Sequence, residues 1–264
     1  MTAVLSYIGR NTLAFLRYLS GLYDLTAHAA YWTFVAPLKG RGLKWDSAVH
    51  QMVLVGVDSV PIVSLISLFI GMVLGLQGAY QLEKLGAAYY VSALVGVSMT
   101  RELGPLITAI IIAGRSGSAF AAEIGTMKVS EEIDALEVMG LNSVKYLVVP
   151  KYLAMLVMMP CLTLLSDVSG IAGGAIFEIV QLDQTLPMLA GATRDSLFMR
   201  DIWTGLVKSV VFGLIITKVG CYEGFSVRGG AEGVGKATTS SVVVSIFLII
   251  FADVLFTALF YYTT

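Results

Sequence analysis

Long apolar segments separated by short polar ones dominate the chain. A helix needs about 20 residues to cross the roughly 30 Å hydrocarbon core of a bilayer, and four of these segments are long enough. They cover residues 52–76, 89–113, 202–219 and 242–262. Unbroken apolar runs of this length are typical of membrane-spanning helices. The pattern therefore predicts at least four spans.

A fifth apolar region, residues 146–180, is longer than an ordinary span. Lys151, Pro160 and Asp167 interrupt it too often for two spans of normal length. We interpret it as one long helix, which brings the predicted number of spans to five.

The distribution of positive charge agrees with five spans. Of the 17 Lys and Arg residues, twelve are assigned to one side: those before the first span, between spans two and three, or between spans four and five, with Lys151 and Lys218 at the span edges counted with the adjoining loops. Three lie in the opposite loops, and Arg101 and Lys208 lie within spans. Because cytoplasmic loops carry the excess of positive charge, the N-terminus is predicted to be cytoplasmic and the C-terminus to face outward. A second crossing at residues 146–180 would break this alternation.

The segment before the first span has a different pattern. Apolar residues recur at helical spacing over residues 4–23, with Arg10 and Arg17 between them, as in a helix lying in the headgroup plane. A basic link follows at residues 36–46. The chain is thus predicted to be an all-α integral membrane protein, with an interfacial N-terminal region at residues 1–46 and a membrane domain at residues 47–264.

Composition supports a lipid environment and excludes several functions. Hydrophobic residues make up 57% of the chain and charged residues 13%, with a mean hydropathy of +0.83, whereas soluble domains average about 25% charged residues. A net charge of −1 provides no basic field for nucleic acid. Two histidines and two distant cysteines predict neither a metal site nor a disulfide.

Four charged residues within the predicted spans need an explanation: Arg101, Glu102, Lys208 and Asp253. Each costs at least about 2.5–3.5 kcal/mol at the centre of a membrane helix, so such residues usually face a cavity or a partner. One hypothesis is a structural ion pair, for instance between Lys208 and Asp253. The other is a cavity for an amphiphile with a charged headgroup and apolar tails.

The longest polar loop, residues 114–145, contains two short helical patterns. The second is delimited by Ser130 as N-cap and Gly140 as its end. Its polar face is acidic and is formed by Glu131, Glu132, Asp134 and Glu137. An amphipathic helix resting on the membrane is the alternative, but helices on anionic membranes are normally basic. The acidic face favours a docking site for a protein partner.

Two glycine patterns need separate interpretation. Residues 230–237 read GAEGVGKA and resemble a phosphate-binding loop, but Ala237 replaces the Mg²⁺-binding Ser or Thr and no strand precedes it. ATP hydrolysis is therefore assigned to another subunit. Gly71 and Gly75, and the group Gly170, Gly173 and Gly174, predict close helix packing within one subunit or across a dimer.

Three stretches resemble the MlaE permease family, the membrane subunits of ABC-type intermembrane phospholipid transporters of Gram-negative bacteria. They are GMVLGLQG (71–78), TRELGPLITAIIIAGRSGSAFAAEIGTMKVSEEIDALEVMGLN (100–142) and LVKSVVFG (206–213). The resemblance implies five spans and an interfacial N-terminal helix. It also implies a multi-pass protein of the bacterial inner membrane with a periplasmic C-terminus.

The resemblance also implies site residues. Those expected at a lipid cavity are Arg101, Glu102, Lys208, Asp253, Leu74, Gln77 and Leu103. Those expected to couple to an ATPase are Glu123, Gly125, Glu131, Glu132, Asp134, Leu136 and Glu137.

The implied assembly is a homodimer with MlaF-like ATPase subunits, which bind ATP and Mg²⁺, a periplasmic MlaD-like ring of MCE domains and, in some members, an MlaB-like STAS subunit. The permease itself is expected to carry no cofactor and to bind phospholipid. The implied role is phospholipid transport that maintains the lipid asymmetry of the outer membrane.

Two other classes of function remain as alternatives. An ion-coupled secondary transporter would use Glu102 or Asp253 as a proton carrier, but no inverted repeat is apparent. An intramembrane enzyme would need a nucleophile and a base in one cavity. Both histidines, His28 and His50, fall outside the predicted spans, so no such constellation is predicted.

Overall fold

The computed structural model describes residues 20–29, 31–35, 45–182 and 185–263. Most of the predicted interfacial helix, residues 4–23, lies outside these ranges. Residues 20–29 form a helix, α1, and Tyr31–Val35 form a π-helical turn.

The first long helical segment contains a break. Helix α2 (Trp45–Val55) is followed by a turn at Gly56, a 3₁₀ turn at Val57–Ser59 and helix α3 (Val60–Glu83). Pro61 lies in the first turn of α3. A backbone N–H at this position makes no hydrogen bond within the helix, so proline, which lacks one, is tolerated there. Together these elements form the first candidate span, Trp45–Glu83, which begins before the predicted residue 52.

The second span continues further than predicted. Three helices, α4 (Val91–Ser98), α5 (Gly104–Ile112) and α6 (Ser118–Val129), are joined by π-helical turns at Met99–Leu103 and Ala113–Gly117. Residues 114–129, predicted as part of a polar loop, therefore extend the span helix. Ser116 and Gly117 are buried there, so the polar composition of this stretch reflects packing inside the protein. A short helix, α7, follows at Glu132–Val138.

The region predicted as one long helix is one. A π-helical turn at Val144–Val148 leads into α8 (Val149–Leu182), which continues past Pro160. The remaining helices are α9 (Leu186–Ser196), which the sequence pattern did not predict, α10 (Met199–Phe225) and α11 (Gly230–Thr263). Helix α11 includes residues 230–237, so the glycine-rich stretch forms no phosphate-binding loop.

Five helical segments of the described chain are long and apolar enough to cross a membrane, which confirms the predicted number. The third is central, with 61% of its most apolar window buried, and the first and fifth are peripheral, with 28% and 11%. Phe69 on α3 and Phe247 on α11 are more than half exposed. Apolar side chains on an outer surface are what lipid contact requires.

Glycines set the distance between α3 and α8. A Cβ at Gly71 would overlap the carbonyl oxygen of Gly170, and one at Gly173 would overlap the carbonyl oxygen of Leu68. A Cβ at Gly75 would lie 3.4 Å from the Cα of Gly174. The sequence left open whether these glycines pack helices within one subunit or across a dimer. In the structure they pack α3 against α8 within one subunit.

We expect Gly71→Ala to destabilise the protein by about 1–3 kcal/mol, since the added methyl group forces two backbones apart. Gly191→Ala is the matched control, because Gly191 lies in α9 with open space around its Cα. The control should be neutral or more stable by up to about 1 kcal/mol. Thermal unfolding in one detergent measures both. Equal melting temperatures would contradict this account of the α3–α8 contact.

Candidate functional site: a buried charged cluster and an exposed acidic helix

Three of the four intramembrane charged residues meet at one point. Lys208 on α10 is 1% exposed, and its Nζ donates to Oε2 of Glu102, to Oδ1 of Asp253 at 2.9 Å and to Oγ1 of Thr257 at 2.8 Å. Thr257 Oγ1 also lies 3.2 Å from Glu102 Oε2. The structural ion pair considered from the sequence is therefore present, and it has a second carboxylate. We call these four residues the charged cluster.

Local structure explains why these residues converge. Glu102 lies in the π-helical turn Met99–Leu103, an irregularity that often occurs at functional sites. Asp253 and Thr257 are four residues apart on α11 and so share one helix face. Thr257 was not predicted as a site residue, and only its spacing from Asp253 could have indicated it.

The cluster carries one positive and two negative formal charges. All three hydrogen bonds that an ammonium can donate are used, so Lys208 is fully satisfied. The carboxylates remain more accessible, with Glu102 32% exposed and Asp253 15% exposed. A net negative, partly accessible group in an apolar surrounding suits a ligand headgroup that contains a cation or a hydrogen-bond donor.

The cluster lies well inside the membrane segment. Lys208 is nine residues from the start of α10 at Met199, which at 1.5 Å per residue is about 14 Å. Half of the roughly 30 Å hydrocarbon core is a similar distance. Transporter binding sites typically occur near this depth.

Arg101, the fourth predicted charged residue, is in a different place. Its Nη1 lies 3.8 Å from Oδ1 of Asp201, and Oδ2 of the same carboxylate accepts a hydrogen bond from the backbone N–H of Phe198 at 3.2 Å. These residues line a cavity of about 570 Å³ together with Arg200. Asp201 was not predicted as a site residue, because it lies one residue before the predicted span 202–219 and so was not among the charged residues within spans.

The other three residues predicted at the lipid cavity, Leu74, Leu103 and Gln77, do not share one environment. Leu74 and Leu103 pack against one cluster of buried residues that includes Val91, Val95 and Met99. Gln77 is exposed. Within the described subunit, the two leucines therefore serve helix packing, and Gln77 lies on the surface.

Two of the predicted coupling residues contact the membrane domain. Glu123 Oε2 accepts a hydrogen bond at 2.7 Å from Lys151 Nζ, and Lys151 is 1% exposed. Gly125 is buried beside Val227 and Val234, which leave little room for a side chain. Glu123 and Gly125 therefore also stabilise contacts within the subunit. The sequence noted Lys151 only as an interruption of the third span.

Helix α7 begins one residue later than predicted, so Ser130 as its N-cap is wrong. The Ser130 backbone N–H bonds to the Thr126 carbonyl and ends α6, and Glu131, at φ 61°, is the N-cap residue. A residue in the left-handed conformation commonly ends a helix, and Glu131 takes this position after α6. Gly140, at φ 73°, follows the helix end as expected.

The two faces of α7 differ sharply. Ile133 and Leu136 pack inward against buried residues around Ile124 and Tyr152. The acidic residues Glu131, Glu132, Asp134 and Glu137 are exposed. At the end of the helix, Val138 is 90% exposed and Met139 is 64% exposed. We call this acidic face with its two apolar residues the α7 surface.

Two buried carboxylic acids of α8 were not predicted as site residues. Glu178 is 1% exposed and accepts a hydrogen bond from the Ser92 hydroxyl. Asp167 is 5% exposed beside Gly104, and its Oδ1 has no hydrogen-bond partner among the described residues. No group of three or more potential metal ligands occurs in the described part of the chain.

Comparison with known proteins finds similar sequences in permeases of ABC transporters. The family model for permease MlaE matches residues 48–259. A probable ABC transporter permease protein of Rickettsia bellii is 38% identical over 254 residues, 96% of each chain. One from Synechocystis is 39% identical over 220 residues, 83% of each chain. The chloroplastic protein TRIGALACTOSYLDIACYLGLYCEROL 1 of Arabidopsis thaliana is 36% identical over 224 residues, 85% of this chain and 64% of the plant protein. With a match that spans nearly all of its membrane domain, the chain belongs to the MlaE permease family.

Proposed function

We propose that this permease moves phospholipids between the inner membrane of a Gram-negative bacterium and a periplasmic conduit of MCE domains. The single observation that carries the proposal is the charged cluster, because it provides polar contacts for a headgroup near the middle of an apolar domain. One relative is named after a glycolipid, which supports a lipid substrate. Such transport would maintain the lipid asymmetry of the outer membrane.

The energy would come from a separate subunit. Relatives are named ABC transporter permeases, a class whose ATP hydrolysis takes place on a partner ATPase. The α7 surface supports docking of such a partner, since it combines exposed acidic groups with the apolar side chains of Val138 and Met139. Interfaces typically have an apolar centre and a polar rim of this kind. Glu123 and Gly125 would transmit motion from this surface to α8, α10 and α11.

The remaining parts of the proposed assembly follow from the family. Two copies of the permease would form a homodimer through peripheral helices, and the charged cluster of each copy would face a shared lipid cavity. A periplasmic MCE ring would cover the cavity on the side of the C-terminus. A STAS-domain subunit would accompany the ATPase in some species.

Native mass spectrometry of the detergent-extracted complex, purified through this chain, tests the proposal. We expect two permease subunits with two ATPase subunits and retained phospholipid. A permease that carries neither ATPase nor phospholipid would contradict the proposal. It would favour instead an ion-coupled transporter that uses Glu102 or Asp253.

A further inference from the structure

A second, mostly apolar cavity shares none of its lining residues with the charged cluster. Its volume is about 230 Å³, several times the roughly 30 Å³ that one water molecule occupies in the liquid. It is bounded by Thr26 and Thr33 near the N-terminus, by α8 and by α10, and it is partly open. Its walls include Leu156, Val211, Leu214 and Ile215.

Two hydroxyl groups that line this cavity have no hydrogen bond within the described chain. They belong to Tyr152, which is 5% exposed, and Thr33, which is 7% exposed. The hydroxyl of nearby Thr26 donates to the Leu22 carbonyl at 2.6 Å and makes no hydrogen bond of acceptable geometry with Tyr152. A buried hydroxyl without a partner is costly, so both groups indicate an external acceptor.

The ammonium group of Lys218 adds a positive charge to the residues that line the cavity. Lys218 lines the same space, and the described residues provide no ion-pair partner for it. Antiparallel α8 and α10 place Tyr152 and Lys218 near the end where α8 begins and α10 finishes. The charge distribution predicts that this end faces the cytoplasm.

Polar and apolar walls are separated along the helices. On α10, Val211, Leu214, Ile215 and Lys218 form one stripe at helical spacing. The stripe rises about 10 Å from Lys218 to Val211, toward the membrane interior. Leu156 lies one turn deeper than Tyr152 on α8. The cavity therefore has donors at its outer end and hydrocarbon at its inner end.

We propose that this cavity is a second lipid site, which holds the glycerol-phosphate end and the adjoining part of one acyl chain of a glycerophospholipid of the cytoplasmic leaflet, while the rest of the lipid lies in the bilayer. Lys218 binds its phosphate, and Tyr152 and Thr33 donate to its ester oxygens. The part of one acyl chain nearest the glycerol follows the stripe of α10. A cluster of waters fits less well, because waters in a cavity need two to four polar partners each and the inner walls offer none. This site shares no residue with the charged cluster, and the proposal does not depend on the proposed transport cycle.

Photo-crosslinking tests the proposal on the full chain. The chain is reconstituted in vesicles of phosphatidylethanolamine and phosphatidylglycerol with a trace of phosphatidylglycerol that carries a diazirine on one acyl chain. Peptide mass spectrometry then locates the adducts. We expect them at residues 152–156 and 211–215. Loss of one hydrogen bond in Tyr152→Phe should lower their yield about three- to tenfold, and Leu156→Trp should abolish them by filling the cavity.

Tyr80→Phe is the matched control, because Tyr80 is 60% exposed near the opposite end of the first span. It should leave the yield unchanged. The Tyr152 hydroxyl bonds to no described residue, so Tyr152→Phe should unfold at the wild-type temperature or above. An equal yield in Tyr152→Phe and wild type would indicate ordinary annular lipid and overturn the proposal. Labelling by a diazirine fatty acid alone would also overturn it.

Discussion

Lys208→Met is expected to be the most damaging single substitution in the charged cluster, with a loss of about 3–5 kcal/mol in unfolding free energy. The reason is that Lys208 is 1% exposed and neutralises the carboxylates of both Glu102 and Asp253. Without it, two neighbouring negative charges remain in an apolar surrounding. Asp253→Asn should cost less, because Lys208 keeps Glu102 as its partner. Thermal and denaturant unfolding in detergent measure the order.

The same cluster provides a control for charge. The triple variant Glu102→Gln, Lys208→Met, Asp253→Asn removes every formal charge and should recover most of the lost stability. If the headgroup proposal is right, this stable variant still retains less phospholipid than the wild type. A triple variant as unstable as Lys208→Met would show that packing, and not unpaired charge, explains the loss.

Val138→Asp is expected to reduce the ATPase that co-purifies with the permease by about 30-fold or more, as for an interface hot spot of about 2 kcal/mol. Val138 is 90% exposed at the end of α7, so the substitution should leave folding and membrane insertion unchanged. At the interface, however, it would place a charge at an apolar centre. Reversing Glu131 and Glu132 to Lys should have a smaller effect that weakens further at high salt, as is typical of rim charges.

Leu85→Asp is the matched control for Val138→Asp. Leu85 is 77% exposed in the turn after α3 and lies on the side that the charge distribution predicts to be periplasmic. It should leave the ATPase content unchanged. Equal ATPase content in Val138→Asp and the wild type would exclude the α7 surface as the docking site.

Membrane architecture was predictable because it depends on local composition. The bilayer requires about 20 apolar residues per span, and this condition can be checked one segment at a time. The single long helix at α8 was predicted correctly despite Pro160. Span ends were predicted less well: α11 begins at Gly230, twelve residues before the predicted residue 242, because its polar first turns pack in the protein or face water.

Site residues were predictable in kind but not in arrangement. A charged residue within a span indicates a special role, and this identified Glu102, Lys208 and Asp253 from the sequence alone. The same rule grouped Arg101 with them, although its partner is Asp201. Lys151, Asp167 and Glu178 received no role, since an interruption in a hydrophobic segment does not show what lies opposite.

The sequence by itself determined the membrane class, the five spans, the family and which positions carry unusual charge. These properties depend on the solvent around each segment and on motifs read along one chain. Only the tertiary structure decided that Lys208 binds two carboxylates, that the glycines of α3 and α8 pack within one subunit, and that Tyr152 and Thr33 share a cavity. Contacts of this kind join residues far apart in the chain, and their geometry depends on helix rotation and depth, which apolar composition alone does not specify.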